Sequence, residues 1–293
     1  MFAQELLEAH GYAMVDCYML GDELPPTWKL LPLVPDGLEA DAAKFPALLP
    51  LASLPDEEFF ALCEQLEHAR AHKVTPPILS LFKTSADAKH LQAHWKKQLI
   101  ARLPGGGKFH LRSYAPRVMT QILRIYSPPQ LKALFGCISE WSIYCDHEWH
   151  RLQAPACEPV LAQFFSRPQG EQMHRIQAIN RTLAQLPDEL RPAYASDAKG
   201  YFSVSEKIDS LLLRAANHAL AREDEQVQFA LHGMTVHPHF DTHPRVRALL
   251  AGIDRNEQTY LDAIAELQPA DWQRIATDLN AQQHTQYLMD KAP

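Results

Sequence analysis

The sequence has 293 residues, of which 46% are hydrophobic and 22% are charged, and its formal net charge is -7. This composition is typical of a globular protein with one large core or two smaller ones. The negative net charge gives no reason to expect nucleic acid as a partner, because phosphates are neutralised by clustered Lys and Arg. The densest basic stretch has helical spacing and is interpreted as a solvated helix face; it holds Lys89, Lys96, Lys97 and Arg102.

The sequence also argues against membrane insertion and export. No stretch reaches the roughly 18 to 20 uninterrupted apolar residues that a membrane-spanning helix needs. The first twenty residues lack a basic start before an apolar run, so we predict no signal peptide. The five cysteines form no CxxC pair and are expected to be reduced thiols. A cytoplasmic location follows as the expectation.

The first half alternates strand-like and helix-like segments. Apolar runs and alternating patterns predict strands over 12–19, 47–52, 77–82, 109–114, 141–145 and 149–152. Amphipathic spacing predicts helices that begin near Asp56, Ser85, Pro116 and Pro128. The glycine run 105–107 predicts a turn.

The second half has a different pattern, because apolar residues recur every three or four positions from about Pro155 onward. Such stripes predict helices over 173–183, 204–219, 246–253, 260–267 and 272–279. Prolines cluster near residues 154–168 and indicate a boundary there. The sequence thus predicts an α/β (mixed α+β) N-terminal domain, residues 1–154, and an all-helical C-terminal domain, residues 155–293.

One segment concentrates potential zinc ligands: His232, His237, His239, Asp241 and His243. Their spacing matches neither an HExxH helix nor a Cys/His finger, and two prolines indicate a loop. We therefore favour a connection that holds no metal, and we expect no cofactor. A metal-dependent hydrolase that uses the His232–His243 loop is the alternative.

Other patterns of catalytic residues are incomplete. The glycine run before Lys108 lacks the first Gly and the Ser or Thr of a phosphate-binding loop. No GxSxG elbow is present. Asp146, Glu148 and His150 lie near the tip of a predicted hairpin and are interpreted as solvated charges. The sequence therefore predicts a protein without catalytic activity.

The most distinctive run is residues 110–141, HLRSYAPRVMTQILRIYSPPQLKALFGCISEW. In this run, an Arg and a Tyr precede a predicted helix that begins with Pro-Arg. A second predicted helix follows, which contains Gln-Leu and ends with Phe-Gly. A predicted strand with a Trp comes last. This run resembles the signature of the type VI secretion adaptor (effector-chaperone) family, the Tap/TEC-like domain. The matching residues are Arg112, Tyr114, Pro116, Arg117, Gln130, Leu131, Phe135, Gly136 and Trp141, and a first strand that ends in Asp16 fits the same family.

The match has departures, of which Ala115 matters most because the family has Asp at that position. An Asp there caps the helix and pairs with an Arg. Without it, Arg117 needs another partner, and Asp16 is the candidate. Ser113 and Cys137 also differ from the family's aromatic residue and Pro.

The resemblance implies binding rather than catalysis. A protein of this family binds a secretion effector (a toxin) and loads it onto the VgrG spike tip. The signature residues then either support the fold, for example through an Arg paired with Asp16 and a core Trp, or contact a partner. An interaction module unrelated to secretion is a further alternative.

Overall fold

The computed structural model describes residues 2–102, 105–159, 165–256 and 258–290. Contacts between Cα atoms divide the chain into unit 1, Met1–Met173, and unit 2, His174–Pro293. The predicted fold class is confirmed, because unit 1 contains a six-stranded antiparallel sheet with helices and the described part of unit 2 is helical. Across the described ranges, no helix is both long and apolar enough to cross a membrane.

The described part of unit 1 contains eight strands: β1 (Tyr12–Val15), β2 (Leu31–Pro32), β3 (Ala47–Pro50), β4 (Ile78–Thr84), β5 (Ile100–Arg102), β6 (Lys108–His110), β7 (Ile138–Cys145) and β8 (Glu148–Gln153). Six of them form the main sheet in the order β2-β3-β1-β4-β7-β8, with every neighbouring pair antiparallel. Strands β5 and β6 form a separate two-stranded ribbon.

The helices that begin in unit 1 are α1 (Phe2–Glu8), α2 (Cys17–Leu20), α3 (Asp56–His72), α4 (Ala88–Gln98), α5 (Pro116–Ile125), α6 (Pro128–Phe135) and α7 (Arg167–Gln185). One face of the sheet, with Ala13 and Leu81, packs against α1 and α3. The opposite face, with Phe82 and Trp141, packs against Trp95 of α4 and Phe135 of α6. Because both faces are covered, β4 and β7 are largely buried instead of alternating between core and solvent.

The strand predicted over 12–19 is wrong beyond Val15. The Asp16 carboxylate accepts a hydrogen bond from the backbone N–H of Met19 at 3.3 Å and begins the short helix α2. Tyr18 and Met19 consequently lie in solvent, with 67% and 71% of their surface exposed. The sequence pattern missed this, since a short helical turn directly after a strand carries the same apolar residues as a longer strand.

The strand predicted over 109–114 is also too long. Strand β6 ends at His110, and the backbone N–H of Ala115 donates to the carbonyl of Arg112 at 2.9 Å to close a turn. Leu111, Ser113 and Tyr114 are nevertheless buried, so this irregular segment packs against the core without forming a strand.

Most other predictions for unit 1 are confirmed, including the hairpin between β7 and β8 and the starts of α3, α5 and α6. Asp146 and His147 have φ angles of 50° and 66°, as a two-residue hairpin turn requires. Helix α4 begins later than predicted, because Asp87 and not Ser85 caps it by accepting from the backbone N–H of His90 at 2.8 Å.

Unit 2 contains the rest of α7 and the helices α8 (Ala198–Asn217), α9 (Glu223–Thr235), α10 (Pro244–Asn256), α11 (Tyr260–Ile264) and α12 (Pro269–Asp290). Helix α9 was not predicted. Its buried positions surround the helix instead of forming one stripe: Val227, Phe229, Ala230, Leu231 and Gly233. The acidic first turn, residues 223–225, was the available signal, because negative charge favours a helix N-terminus.

The domain boundary near residues 154–168 stays a prediction, and residues 160–164 of that range lie outside the described residues. Limited proteolysis of the native protein should cut first within 154–168, where the sequence pattern changes. Fragments of the two expected sizes, identified by mass spectrometry, are the measurement. Protection of this range with first cleavage inside 204–221 would contradict the boundary.

Candidate functional site

An ion pair joins two of the signature residues at the end of β1. The Asp16 carboxylate accepts a hydrogen bond from Arg112 Nη2, and the two side chains are 15% and 41% exposed. Arg117, the expected partner of Asp16, is exposed on α5 and acts electrostatically on the Cys145 thiol. The arginine paired with Asp16 is thus Arg112, whereas Arg117 was the candidate from the sequence.

The same arginine contacts the third signature residue, Tyr114. Arg112 Nε donates to the Tyr114 hydroxyl at 3.1 Å, and the guanidinium carbon lies 5.7 Å from the centroid of the tyrosine ring. Burial of the phenol, together with the nearby Asp16 carboxylate, raises the pKa of Tyr114 to about 12. Tyr114 is thus a neutral phenol at physiological pH, and its hydroxyl acts as an acceptor for the arginine.

Ser80 of β4 extends this contact into the core. Its hydroxyl donates to the carbonyl of Tyr114 at 2.8 Å and accepts from the indole Nε1–H of Trp141 at 3.1 Å. Both Ser80 and Trp141 are at most 1% exposed. A continuous hydrogen-bonded chain therefore runs from Asp16 through Arg112, Tyr114 and Ser80 to Trp141. Ser80 was missed in the sequence, where its only signal was a hydroxyl within an apolar strand.

Three other signature residues support the fold. Phe135 packs edge-on to Trp141 with ring centroids 5.6 Å apart, and Pro116 occupies the first turn of α5. Gly136 ends α6 with a φ of 56°, and a Cβ atom there would lie 2.2 Å from Cε1 of His94. Only glycine fits this position, because both the backbone angle and the imidazole exclude a side chain.

A cavity of about 440 Å³ opens beside the Asp16–Tyr114 end of the chain. Its lining includes Met14 of β1, Asp16 directly after that strand, Met19, Trp28, Tyr114 and Ala115. We call this the Asp16 cavity. Met19 belongs to its rim and is 71% exposed. Ala115 borders the space where the family has Asp, so the most important departure from the signature lies in this cavity.

The chemistry of the Asp16 cavity suits binding. The Asp16 carboxylate on its wall is already paired with Arg112, and the Tyr114 phenol is neutral. The adjacent Cys17 thiol has a raised pKa because of burial and the neighbouring Asp16 charge, so it stays protonated at neutral pH. A partly apolar recess with one charged wall can hold a short segment of a partner chain.

The histidine-rich segment of unit 2 is not one loop. His232 lies in α9, where its Nδ1 is 2.8 Å from the Tyr260 hydroxyl and its ring stacks on Trp272 at 4.3 Å. Burial lowers the pKa of His232 to about 4. The prediction of a loop beginning at this residue is therefore wrong.

The other potential ligands of this segment have separate contacts. Asp241 pairs with Arg214 and accepts from His218 at 3.0 Å, while His243 Nε2 lies 3.4 Å from Asp278. His237 Nδ1 accepts from the backbone N–H of His239 at 3.1 Å. Within the described ranges, no group of three His, Cys, Asp or Glu side chains is arranged to hold a metal ion.

Residues 12–133 match the family model described as "Domain of unknown function (DUF4123)". Comparison with curated proteins and with solved structures finds no significant match. The matched range contains all residues that line the Asp16 cavity and the signature residues up to Leu131, and it ends before Phe135.

Ser80→Ala should lower the free energy of unfolding by about 1 to 3 kcal/mol, because it leaves the Trp141 N–H without its acceptor in a dry core. Urea denaturation followed by tryptophan fluorescence measures the change. Ser85→Ala, at an exposed position, is the matched control and should change the stability little. Equal stability of Ser80→Ala and the wild type would show that the hydrogen bonds of the Ser80 hydroxyl do not stabilise the fold.

The depressed pKa of His232 predicts acid destabilisation. The unfolded chain binds the proton near pH 6.5, whereas the folded chain does so only near pH 4, so stability is lost as the pH falls between these values. His232→Gln should reduce the slope of stability against pH in this window by up to about 1.4 kcal/mol per pH unit.

Denaturant midpoints measured at several pH values test this expectation. The exposed His284 of α12 provides the matched control, His284→Gln, which should retain the wild-type slope. An unchanged slope in His232→Gln would contradict the assignment of this acid sensitivity to His232.

Proposed function

We propose that the protein is a type VI secretion adaptor that binds a secretion effector and loads it onto the VgrG spike tip, without catalysis of its own. The match of residues 12–133 to DUF4123 carries this proposal, because that domain is found in effector-loading adaptors. The order of signature residues from Arg112 to Trp141 supports the same function. An adaptor of this kind acts in the cytoplasm, before the secretion machine fires.

The Asp16 cavity offers a contact point for a partner. A stable protein complex buries about 800 Å² on each partner, so a cavity of about 440 Å³ accounts for the anchor of an interface and not for all of it. The exposed apolar side chains of Tyr18 and Met19 extend the contact surface beyond the cavity. Energetic hot spots of protein interfaces are typically anchors in a desolvated pocket, surrounded by contacts that exclude water.

The hydrogen-bonded chain behind the cavity favours binding because it fixes the wall before a partner arrives. Tyr114 and Asp16 are each held by Arg112, and Tyr114 is also held through its backbone by Ser80. A preorganised wall loses little conformational entropy on association, so more of the contact energy becomes affinity. The α/β unit would thus provide one contact surface and the helical unit the other.

The Tyr114 phenol of the cavity and the adjacent Cys17 thiol favour a binding role over a catalytic one. A nucleophile or general base needs a pKa near the working pH. Tyr114, at a pKa of about 12, and Cys17, with a raised pKa, are both protonated at that pH. A screen of hydrolase substrates tests this part of the proposal. Turnover by the wild type that is absent in an Asp16→Asn variant would refute it.

Co-purification of the tagged protein with the effector and the VgrG protein encoded by adjacent genes tests the function. Met19→Asp should release one of these two partners, because a charge on the rim of the Asp16 cavity must be desolvated in the complex. Binding of the second partner and the thermal melt should be unchanged.

The matched control is Phe60→Asp, which places the same charge at an apolar residue of α3 that is 55% exposed and lies outside the cavity wall. Both partners should remain bound to this variant. Retention of both partners by Met19→Asp would exclude the cavity as the contact surface. Failure of the unmodified protein to bind either partner would refute the adaptor function itself.

A further inference from the structure

Unit 1 contains a second concave surface, a groove of about 1090 Å³ on the side of the β5–β6 ribbon. One wall is the C-terminal part of α4 together with β5 and β6, and the other wall is the segment 35–45. Five cationic side chains line it: Lys44, Lys96, Lys97, Arg102 and Lys108. We call it the basic groove. In a chain of net charge -7, so many cations at one concave surface concentrate positive potential there.

Four of these cations are available to a ligand. Lys44 is 2.6 Å from Asp41, within the groove. Within the part of the chain that the structure describes, Lys96, Lys97, Arg102 and Lys108 have no carboxylate at salt-bridge distance. Lys96 acts electrostatically on Glu39. The pKa of Glu39 is lowered chiefly by backbone N–H groups and to a smaller extent by this lysine. Lys97, Arg102 and Lys108 are exposed.

The sequence could not indicate this surface. Residues 96–102 were interpreted as a solvated helix face, because only the local helical spacing was visible. The fold brings Lys108 across the β5–β6 ribbon, where Arg102 and Lys108 are paired residues, and it brings Lys44 from the opposite wall. The positive potential therefore combines residues 96–102 with Lys108 across the ribbon and with Lys44, which is distant in the sequence.

The opposite wall determines which polyanion fits. Asp36 and Asp41 line it together with Leu38 and Phe45, and the Phe45 ring lies 4.7 Å from that of His110. A nucleic acid carries a phosphate at every nucleotide and would meet these carboxylates with repulsion. A polypeptide can direct acidic side chains to the cationic wall and apolar side chains to Leu38 and Phe45.

We infer that the basic groove is a docking site for an acidic polypeptide segment of a partner protein, one in which Glu or Asp alternates with apolar residues. Lys97, Arg102 and Lys108 pair with its carboxylates, and the wall from Leu38 to Phe45 contacts its apolar side chains. The inference concerns this surface alone and does not depend on which protein provides the segment, effector and spike included.

Fluorescence anisotropy with the full-length protein tests the inference. The probe is a fluorescein-labelled synthetic peptide of repeated Glu-Leu-Glu-Gly units, and the competitor is a single-stranded oligonucleotide. The peptide should bind at low ionic strength and weaken as salt is added, because exposed charges are screened. The same peptide with Lys in place of Glu should not bind. Equal binding of both peptides would overturn the inference without the need for any variant.

Two double variants locate the binding. Lys97→Glu with Lys108→Glu reverses two exposed charges in the groove and should weaken peptide binding at least about tenfold. Lys89→Glu with Lys199→Glu makes the same charge change at exposed positions outside the groove, and its affinity should remain within about twofold. Thermal melts establish that both variants are folded.

Three further results would overturn the inference. The first is equal weakening in both double variants, which indicates attraction by overall charge. The second is the absence of peptide binding to the wild type at low salt. The third is tighter binding of the oligonucleotide, lost in the groove variant only, which assigns the surface to nucleic acid. None of these results bears on co-purification with the effector and VgrG, so the two proposals fail separately.

Discussion

The hydrogen bond from the Trp141 indole to Ser80 is the constraint on which the rest of unit 1 depends. The Trp141 indole N–H is fully buried, and the Ser80 hydroxyl both accepts a hydrogen bond from it and donates one to the Tyr114 carbonyl. This fixes the irregular segment after β6 against the sheet. At the other end, the partly exposed Asp16–Arg112 pair contributes only about 0 to 1 kcal/mol. The buried contacts of Ser80 therefore determine the position of Tyr114, and the Asp16–Arg112 pair depends on that position.

Coverage of the sheet on both faces explains where a partner can be bound. Trp95, Phe82, Phe135 and Trp141 form a closed aromatic cluster on one face, with ring centroids 5.1 to 5.6 Å apart. The approach of α6 to α4 at Gly136 completes that face, and α1 and α3 close the other. The two concave surfaces of unit 1 lie at the ends of strands and beside the β5–β6 ribbon. The Asp16 cavity lies at such a point, since β1 ends at Val15 and the capped turn of α2 redirects the chain.

The sequence predicted the features that depend on local periodicity, such as α3, α5 and the hairpin of β7 and β8. It failed where a single polar contact redirects the chain, as at Asp16, or where burial surrounds a helix, as in α9. The candidate site was likewise predicted only in part. The pairing of an Arg with Asp16 was anticipated, but not the intermediate role of Ser80, because contacts between residues 34 and 61 positions apart leave no local pattern.

The segment 108–115 connects the two concave surfaces of unit 1. Lys108, Phe109 and His110 line the basic groove, whereas Tyr114 and Ala115 line the Asp16 cavity. Arg112 lies between them. Burial lowers the pKa of His110, and the charge of Arg112 lowers it further, whereas the Asp16 carboxylate raises it. The Asp16–Arg112 ion pair beside the cavity therefore acts electrostatically on a residue of the groove. Loss of Arg112 would release Tyr114 and change the charge next to His110 at once. Met19 borders only the Asp16 cavity and Lys97 borders only the basic groove, so the two surfaces share the segment 108–115 and differ in their opposite walls.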